Sequence, residues 1–408
     1  VTRRVAVTGM GGVTSLGADW PTIRGHFRQG RTGIRYMGEW ERHHGVHTRL
    51  GAPVDGFDVE ERYGRKRIRT MGPVARMAVY ASEMALLDAG LLGDKCLVGG
   101  RTGIAYGSSF GGHQAALGFA GLMLEGSSPR LTGTGYVQMM SHTAAVNIGI
   151  FFAVTGRIVP TSSACTSGSQ GIGYAYETIR HGAQDVMIAG GAEEMSVSNA
   201  AVFDTFYATS LKNDAPHTSP RPFDLHRDGL VIGEGAATLI LEEWEHAKAR
   251  GARIHAELVG FGTNSDGTHI TQPTPDTMAI ALDLALEQAG LPPSAIGFVN
   301  GHGTATLWGD VAEAEATRKS LGEGVPIHSL KSYFGHSLGA CGSIEAWLGV
   351  EMMKEGWFAP TANLVQVDPK CAGLDHVMGE GRALEIEHLM STNFAFGGIN
   401  TALIFRRV

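Results

Sequence analysis

Short apolar runs rich in β-branched residues alternate along this chain with amphipathic stretches of helical period, and that alternation restricts it to a layered α/β architecture. Runs of strand length fall at 4–7, 102–106, 186–189 and 237–241, then at 256–260, 298–300, 327–329 and 402–405. Helical periodicity marks 74–89, 168–181, 242–250, 277–289, 310–321 and 343–355. Strands that are apolar throughout are covered on both faces, so the pattern predicts buried, mostly parallel sheets between layers of helix. At 408 residues the chain is long enough for two fused, similar halves. Each half opens on a strand that runs into a glycine turn, Val5-Ala6-Val7-Thr8-Gly9-Met10-Gly11 and Glu257-Leu258-Val259-Gly260-Phe261-Gly262. The likeness does not by itself establish a duplication. The internal boundary is placed near Gly251, giving 1–251 and 252–408, and the lack of a proline-rich or charged linker predicts one packed body.

Composition removes several classes of function. A net charge of -7 gives no reason to expect a nucleic-acid binder. The most apolar stretch, 144–154, is too short to span a bilayer and contains Asn147, so no membrane span is expected. Cys96, Cys165, Cys341 and Cys371 have neither the paired spacing of a zinc site nor the density of a secreted disulfide scaffold. With no signal-peptide pattern before the first strand, the expected location is a reducing, cytoplasmic one.

Cys165 carries the strongest chemical signal. It lies in Thr161-Ser162-Ser163-Ala164-Cys165-Thr166-Ser167-Gly168-Ser169-Gln170-Gly171-Ile172-Gly173, where small residues crowd one thiol at the start of a helical pattern. A thiol at a helix N-terminus meets free backbone N–H groups and the positive end of the helix dipole, which favour the thiolate. Taken alone, Cys165 is equally well a small buried residue. Two further segments tilt the balance toward a nucleophile: Gly301-His302-Gly303-Thr304-Ala305-Thr306 after an apolar strand, and Lys331-Ser332-Tyr333-Phe334-Gly335-His336. Paired neutral imidazoles can both donate hydrogen bonds to a developing enolate or oxyanion. Lys331 and Glu345 suit a partly buried ion pair that fixes a histidine tautomer. The run Asn393-Phe394-Ala395-Phe396-Gly397-Gly398-Ile399-Asn400 suggests a turn whose N–H groups face a cavity. One thiol with two glycine-flanked histidines points to thioester chemistry.

Together these segments closely resemble the elongating β-ketoacyl-acyl carrier protein synthases, the condensing enzymes of fatty-acid and type II polyketide synthesis. The resemblance runs over essentially the whole chain and includes Val186-Met187-Ile188-Ala189-Gly190-Gly191-Ala192-Glu193, Arg221-Pro222-Phe223-Asp224 and Gly233-Glu234-Gly235-Ala236. It implies a thiolase-type α/β fold, two related halves in five α-β-α-β-α layers, and usually a homodimer. It also implies roles. Cys165 takes an acyl chain from acyl carrier protein, and the backbone N–H groups of Cys165 and Phe396 form the oxyanion hole. His302 and His336 assist decarboxylation of malonyl-carrier protein, supported by Lys331 and Glu345. Thr304 and Thr306 match threonines that bind the pantetheine arm, Phe396 matches a mobile gate, and Phe110 aligns with a residue bounding the acyl pocket. No redox cofactor or metal is implied. In the basic run of Arg62, Arg65, Lys66, Arg67 and Arg69, one side of a helix, with Arg65, Lys66 and Arg69, is expected to dock the acidic carrier.

Several positions depart from the commonest fatty-acid pattern: Leu307-Trp308 replaces smaller residues, Tyr333-Phe334 adds two aromatics before His336, and the gate reads Phe-Ala-Phe. Phe110 implies a short, rigid or conjugated acyl substrate in place of a long saturated one. The main competing reading is a non-catalytic chain-length-factor-like subunit, which usually lacks the nucleophile; such a subunit is also a possible heterodimer partner. A coenzyme A-dependent thiolase would carry a second cysteine where Phe396-Gly397-Gly398 stands. A cysteine hydrolase explains Cys165 and a histidine but none of the other motifs.

Overall fold

The computed structural model describes residues 2–129 and 131–408. Its main sheet is built from β1 (Val5–Thr14), β2 (Thr102–Gly107), β3 (Ile158–Thr161), β4 (Val186–Glu193), β5 (Gly235–Glu243), β6 (Ala256–Ser265), β7 (Ile296–Asn300), β8 (Pro326–His328), β9 (Asp375–His376), β10 (His388–Ala395) and β11 (Ile399–Arg406). The strand order is β9-β8-β7-β10-β11-β6-β1-β5-β4-β2-β3. The ladder between β1 and β6, from Val5 opposite Leu258 to Val7 opposite Ala256, is the seam between two sets of strands.

On either side of that seam the topology repeats. In the first set β3 and β4 flank β2 in parallel, β5 runs antiparallel to β4, and β1 antiparallel to β5. In the second, β8 and β10 flank β7 in parallel, β11 runs antiparallel to β10, and β6 antiparallel to β11. The duplication that the two glycine-ended strands left open is therefore explicit in the backbone. The expectation of mostly parallel sheets is corrected, because antiparallel pairs hold both sets together. The sequence signal reports burial on both faces, and β1 and β4 are buried along their whole length whatever their direction.

Helices repeat in the same way. α1 (Pro73–Asp88) packs on β1 and β5, as α2 (Pro275–Ala289) packs on β6 and β11. Between the two sets of strands lie α3 (Ser167–Arg180) and α4 (Cys341–Glu355), each touching strands of both. The layers are thus helix, sheet, paired central helices, sheet, helix. The glycine turns of the sequence have a packing reason. A Cβ on Gly9 or Gly11 would strike the α1 backbone at Ala85 and Ala81, and one on Gly260 or Gly262 would strike α2 at Ala285 and Ala281. Most strand and helix positions follow the sequence pattern. Exceptions are Glu242 and Glu243, which end β5 instead of opening a helix, and elements that the pattern missed, among them β3, β9, β10 and the helices Trp20–Arg28, His113–Glu125, Gly133–Met139, Thr143–Phe152 and Val197–Thr205.

The functional end of the molecule follows from this repeat. α3 and α4 meet at their N-termini, where a Cβ on Gly168 would lie 2.8 Å from the Gly339 oxygen and 3.2 Å from the Ser343 nitrogen. The loops leaving the carboxyl ends of β3, β7 and β8 converge there, the usual place for a site in such sheets. Replacing Gly11 by alanine puts a Cβ 2.8 Å from the Ala81 oxygen and 2.6 Å from the Met84 Cβ. Gly11→Ala should cost about 1–3 kcal/mol by overpacking, read as a lower urea midpoint at unchanged m-value.

Candidate active site

Cys165 sits in a single 3-10 turn, Ala164–Thr166, immediately before α3. The turn is held by the Ser167 hydroxyl, which donates to the Ala164 carbonyl at 2.7 Å and accepts from the Ser163 N–H at 2.9 Å. Ala164 itself takes the left-handed conformation, φ 49°, an unfavourable one for a residue with a Cβ. The side chain is buried at the base of a cavity of about 460 Å³ lined also by His302, His336, Thr304, Thr306, Phe203 and Phe396.

Both histidines reach this base and both present Nε2 as a hydrogen-bond donor. His336 Nε2 lies 3.0 Å from Cys165 Sγ, while its Nδ1 accepts the Leu338 backbone N–H at 3.2 Å. An N–H pointing at Nδ1 leaves the ring proton on Nε2. His302 Nδ1 is 3.0 Å from Lys331 Nζ and 3.3 Å from Asn393 Nδ2, both donors, so its proton is likewise on Nε2. The two rings stand edge to face, 5.2 Å between centroids. Lys331, only 1 % exposed, pairs with Glu345 Oε1 at 2.5 Å, and Glu345 Oε2 accepts from Asn393 Nδ2 at 2.7 Å. Behind His302, the Glu313 carboxylate accepts the His302 and Gly303 N–H groups, each at 2.6 Å.

The electrostatics follow from burial. Desolvation, with the positive charge of Lys331 added, holds both imidazoles well below the ordinary histidine range, so they are neutral. Burial opposes the charge on Lys331, but the Glu345 carboxylate beside it, which also accepts its hydrogen bond, helps hold the ammonium above its usual range. The Cys165 thiol is pushed up to about 11 by burial, against the pull of Lys331 and of the Phe396 and Cys165 backbone N–H groups. The expectation that the helix N-terminus favours a resting thiolate is thus corrected: desolvation of the sulfur wins. Cys165, His302 and His336 lie close enough to hold a metal ion, as do His302, Cys341 and Glu345. The protons fixed on both Nε2 atoms suit hydrogen-bond donation better than metal ligation, which needs a bare nitrogen.

Of the other sequence candidates, Thr304 and Thr306 line the cavity with their hydroxyls 2.9 Å apart, and Phe396 lies at its side against Phe203, ring centroids 5.2 Å apart. Arg65, Lys66 and Arg69 are exposed around the short helix Arg65–Ile68 and none lines the cavity. Phe110 is not brought to the cavity. It is 42 % exposed and stacked on His113, 4.6 Å between ring centroids, because the following Gly111-Gly112 turn packs on the 138–140 backbone and leaves the ring outside. Asn393, Glu313 and Cys341 were not picked out from the sequence. Asn393 heads a run already marked as unusual; Glu313 is one of several carboxylates on an ordinary helical pattern and gave no signal.

The chain is similar to known proteins over its whole length. Residues 2–247 match the family described as Beta-ketoacyl synthase, N-terminal domain, and residues 255–365 the Beta-ketoacyl synthase, C-terminal domain. The chain is 38 % identical to the 3-oxoacyl-[acyl-carrier-protein] synthase 2 of Vibrio cholerae, covering 100 % of this chain and 99 % of that protein. The crystal structure of a beta-ketoacyl synthase from Burkholderia phymatum is similar at 59 % identity and a TM-score of 0.98, with full coverage of both chains. A type II polyketide ketosynthase bound to the hexaketide and in complex with its acyl-carrier protein is similar at 30 % identity and a TM-score of 0.88, again with full coverage of both.

Two outcomes are expected. Lys331→Met leaves Glu345 buried without its partner and should cost about 3–5 kcal/mol, most of it recovered in the Lys331→Met/Glu345→Leu double variant; chemical denaturation of the three proteins checks this, and a double variant no better than the single removes the pairing. Alkylation of Cys165 by iodoacetamide should accelerate about tenfold per pH unit from neutrality upward, because only the minor thiolate reacts. Intact mass against a Cys165→Ser blank reads it, and a rate already level at neutral pH contradicts the resting thiol.

Proposed function

The chain belongs to the beta-ketoacyl synthase family, and on that premise we propose that it joins an acyl group held as a thioester on Cys165 to the two-carbon unit of malonyl-acyl carrier protein. It is an acyltransferase of chain elongation in fatty-acid or polyketide synthesis. The observation that carries the assignment of roles is the convergence of two Nε2–H donors and two backbone N–H groups on one buried thiol.

In the first half-reaction Cys165 Sγ attacks the carbonyl carbon of the carrier-bound thioester. The carbonyl oxygen takes the negative charge against the N–H groups of Cys165 and Phe396. Collapse expels the pantetheine sulfur, which leaves with the proton that Cys165 gives up. In the second half-reaction malonyl-carrier protein occupies the cavity, its pantetheine arm along Thr304 and Thr306. The Nε2–H groups of His302 and His336 donate to the malonyl thioester oxygen, so that loss of carbon dioxide leaves an enolate held by two hydrogen bonds. The enolate carbon attacks the acyl carbonyl on Cys165, the C–S bond breaks, the departing Cys165 sulfur takes up a proton from solvent to restore the thiol, and a 3-ketoacyl chain two carbons longer departs on the carrier. None of these steps passes electrons to a redox carrier. Lys331, Glu345 and Asn393 act through His302, by fixing its tautomer.

The remaining assignments rest on placement. Arg65, Lys66 and Arg69 have no carboxylate partner among the described residues and suit attraction of the acidic carrier protein. The free edge of β3, with exposed Ile158 and with exposed Ile150 on the helix Thr143–Phe152 packed against that strand, supports pairing with a second subunit, identical or a related chain-length-factor-like protein. Gly251, between the first set of strands and β6, divides the halves 1–251 and 252–408. No helix among the described residues is long and apolar enough to cross a membrane. Free Cys96, Cys165, Cys341 and Cys371 suit a reducing cytoplasm.

The test is intact-protein mass spectrometry with a panel of acyl-carrier proteins, followed by malonyl-carrier protein. Wild type should gain the acyl mass and release a carrier-bound ketoacyl product two carbons longer. Cys165→Ala should gain nothing, and His302→Ala should still acylate but lose condensation by about 10²-fold or more. Absence of acylation across the panel, with folded protein and active carriers, would favour the scaffold-subunit reading.

A further inference from the structure

Large apolar side chains that contribute little to the core ring the mouth of the Cys165 cavity. Phe206, Tyr207, Ile270, Leu307 and Trp308 all line the opening and are between 51 and 92 % exposed. A cluster of exposed aromatic and aliphatic groups at the rim of a functional cavity marks an interaction surface more than scattered exposed side chains do.

The collar is held in place by unfavourable backbone and buried charge. Tyr207, the most exposed of the five, has a left-handed backbone, φ 54°, fixed by its N–H donating to the Asp204 carbonyl at 3.0 Å. The Asp204 carboxylate is in turn tied by the His47 N–H at 2.7 Å and the Thr209 hydroxyl at 2.8 Å. On the opposite segment Ala305 is left-handed too, φ 64°, and donates its N–H to Asp310 Oδ1 at 3.0 Å. Arg227, buried, then grips the loop from below, donating to the Thr306 carbonyl at 3.1 Å and the Leu307 carbonyl at 2.9 Å. Two non-glycine residues in a strained conformation and a desolvated guanidinium each oppose folding. What they hold still is exposed apolar surface, with Trp308 at the start of the helix Gly309–Leu321.

The rim offers an acidic protein no cation of its own. No lysine or arginine is among the lining residues, and of the carboxylates there Glu313 and Asp266 are buried while Asp228 lies 3.8 Å from Lys212 Nζ. Yet the pantetheine arm must pass through the mouth, so the body of its carrier must rest on the rim. We propose, resting on the condensing reading above, that the collar is the short-range docking surface for acyl-carrier protein. It takes an apolar patch around the carrier's arm-bearing residue, and leaves only long-range attraction to Arg65, Lys66 and Arg69. Once seated, the carrier is held by desolvated contact, so its release rate depends weakly on salt while the rate of encounter depends on it strongly.

The experiment compares one acyl group on two vehicles, the carrier protein and free pantetheine, using mass gain at Cys165 as the readout. Trp308→Ala, Tyr207→Ala and Trp308→Glu are measured beside the Arg65→Glu/Lys66→Glu/Arg69→Glu triple variant, with melting temperatures confirming that each is folded. The collar variants should raise KM for the acyl-carrier protein about tenfold more than for acyl-pantetheine, as for aromatic anchors at other interfaces. The rate at which wild type releases bound acyl-carrier protein, read by stopped-flow competition with unlabelled carrier, should change little from low to high salt. The triple variant should mainly flatten the salt dependence of the second-order rate. Equal losses on both vehicles overturn the proposal, because the collar then acts on the arm or the cavity. No loss on either overturns it as well, as does a carrier release rate that rises steeply with salt. Wild type that neither vehicle acylates at Cys165 overturns the condensing reading and the collar with it, a result separate from a collar variant that acylates normally.

Discussion

A lysine ammonium 1 % exposed cannot persist in a protein interior without a compensating charge, and Glu345 at 2.5 Å supplies it. The rest of the site depends on that pair. With two of its directions committed to Glu345 and His302, Lys331 fixes the His302 ring as an Nε2–H tautomer. Glu345 uses its other oxygen to hold Asn393, whose amide backs the same ring nitrogen. Asn393 also points at Cys341, whose thiol donates to the Cys165 carbonyl at 3.3 Å. One buried ion pair therefore reaches the nucleophile's own peptide through a short chain of polar contacts. A network of this kind is costly to leave half satisfied, so the five separate segments that supply it must all be in register.

The register comes from the duplicated architecture. α3 and α4 are equivalent helices of the two halves, and each begins just after a loop that leaves the parallel strand beside the central one. Cys165 precedes α3 and His336 precedes α4, so the two groups that touch across 3.0 Å occupy corresponding places in the repeat. Chemistry has been divided between the halves at the point where the central helices meet. The glycines there and on β1 and β6 permit backbone contacts that no side chain would allow, and so set the distance between the two halves of the site.

Much of this was readable in the sequence, for definite reasons. Strands and helices with strong apolar patterns lie within a few residues of their expected places because each buries a complete face. β3 escaped notice because it is short, sits on the sheet edge and carries Pro160, so it lacks an uninterrupted apolar run. Strand direction could not be read, because burial on both faces gives the same pattern for parallel and antiparallel pairs. At the site, Cys165, His302 and His336 stood out because glycines and small residues isolate them. Asn393 and Glu313 did not, since their significance lies in partners remote in sequence. The state of the thiol was misjudged for a similar reason: the helix N-terminus is local and visible, whereas the desolvation that outweighs it comes from the whole fold. Phe110 shows the limit of alignment by motif, since its place in the pattern did not determine which way the ring turned.

The neutrality of the two imidazoles bears on the chemistry proposed. An enolate must be stabilised long enough to attack a carbonyl, but it must not be protonated, because protonation ends the reaction with simple loss of carbon dioxide. An imidazolium is acidic enough to deliver that proton; a neutral imidazole N–H is a far weaker acid and still a good hydrogen-bond donor. Burial and the positive charge of Lys331 both disfavour the imidazolium of His302 and of His336. Lys331 thus does two things with one charge. It directs the His302 proton to the nitrogen that faces the cavity, and it keeps a second proton from joining it. The same reasoning makes the high value of the Cys165 thiol useful rather than a defect. A resting thiol is less exposed to adventitious oxidation and alkylation than a thiolate, and in the proposed reaction it becomes a nucleophile when a thioester arrives to take the charge against the backbone N–H groups of Cys165 and Phe396.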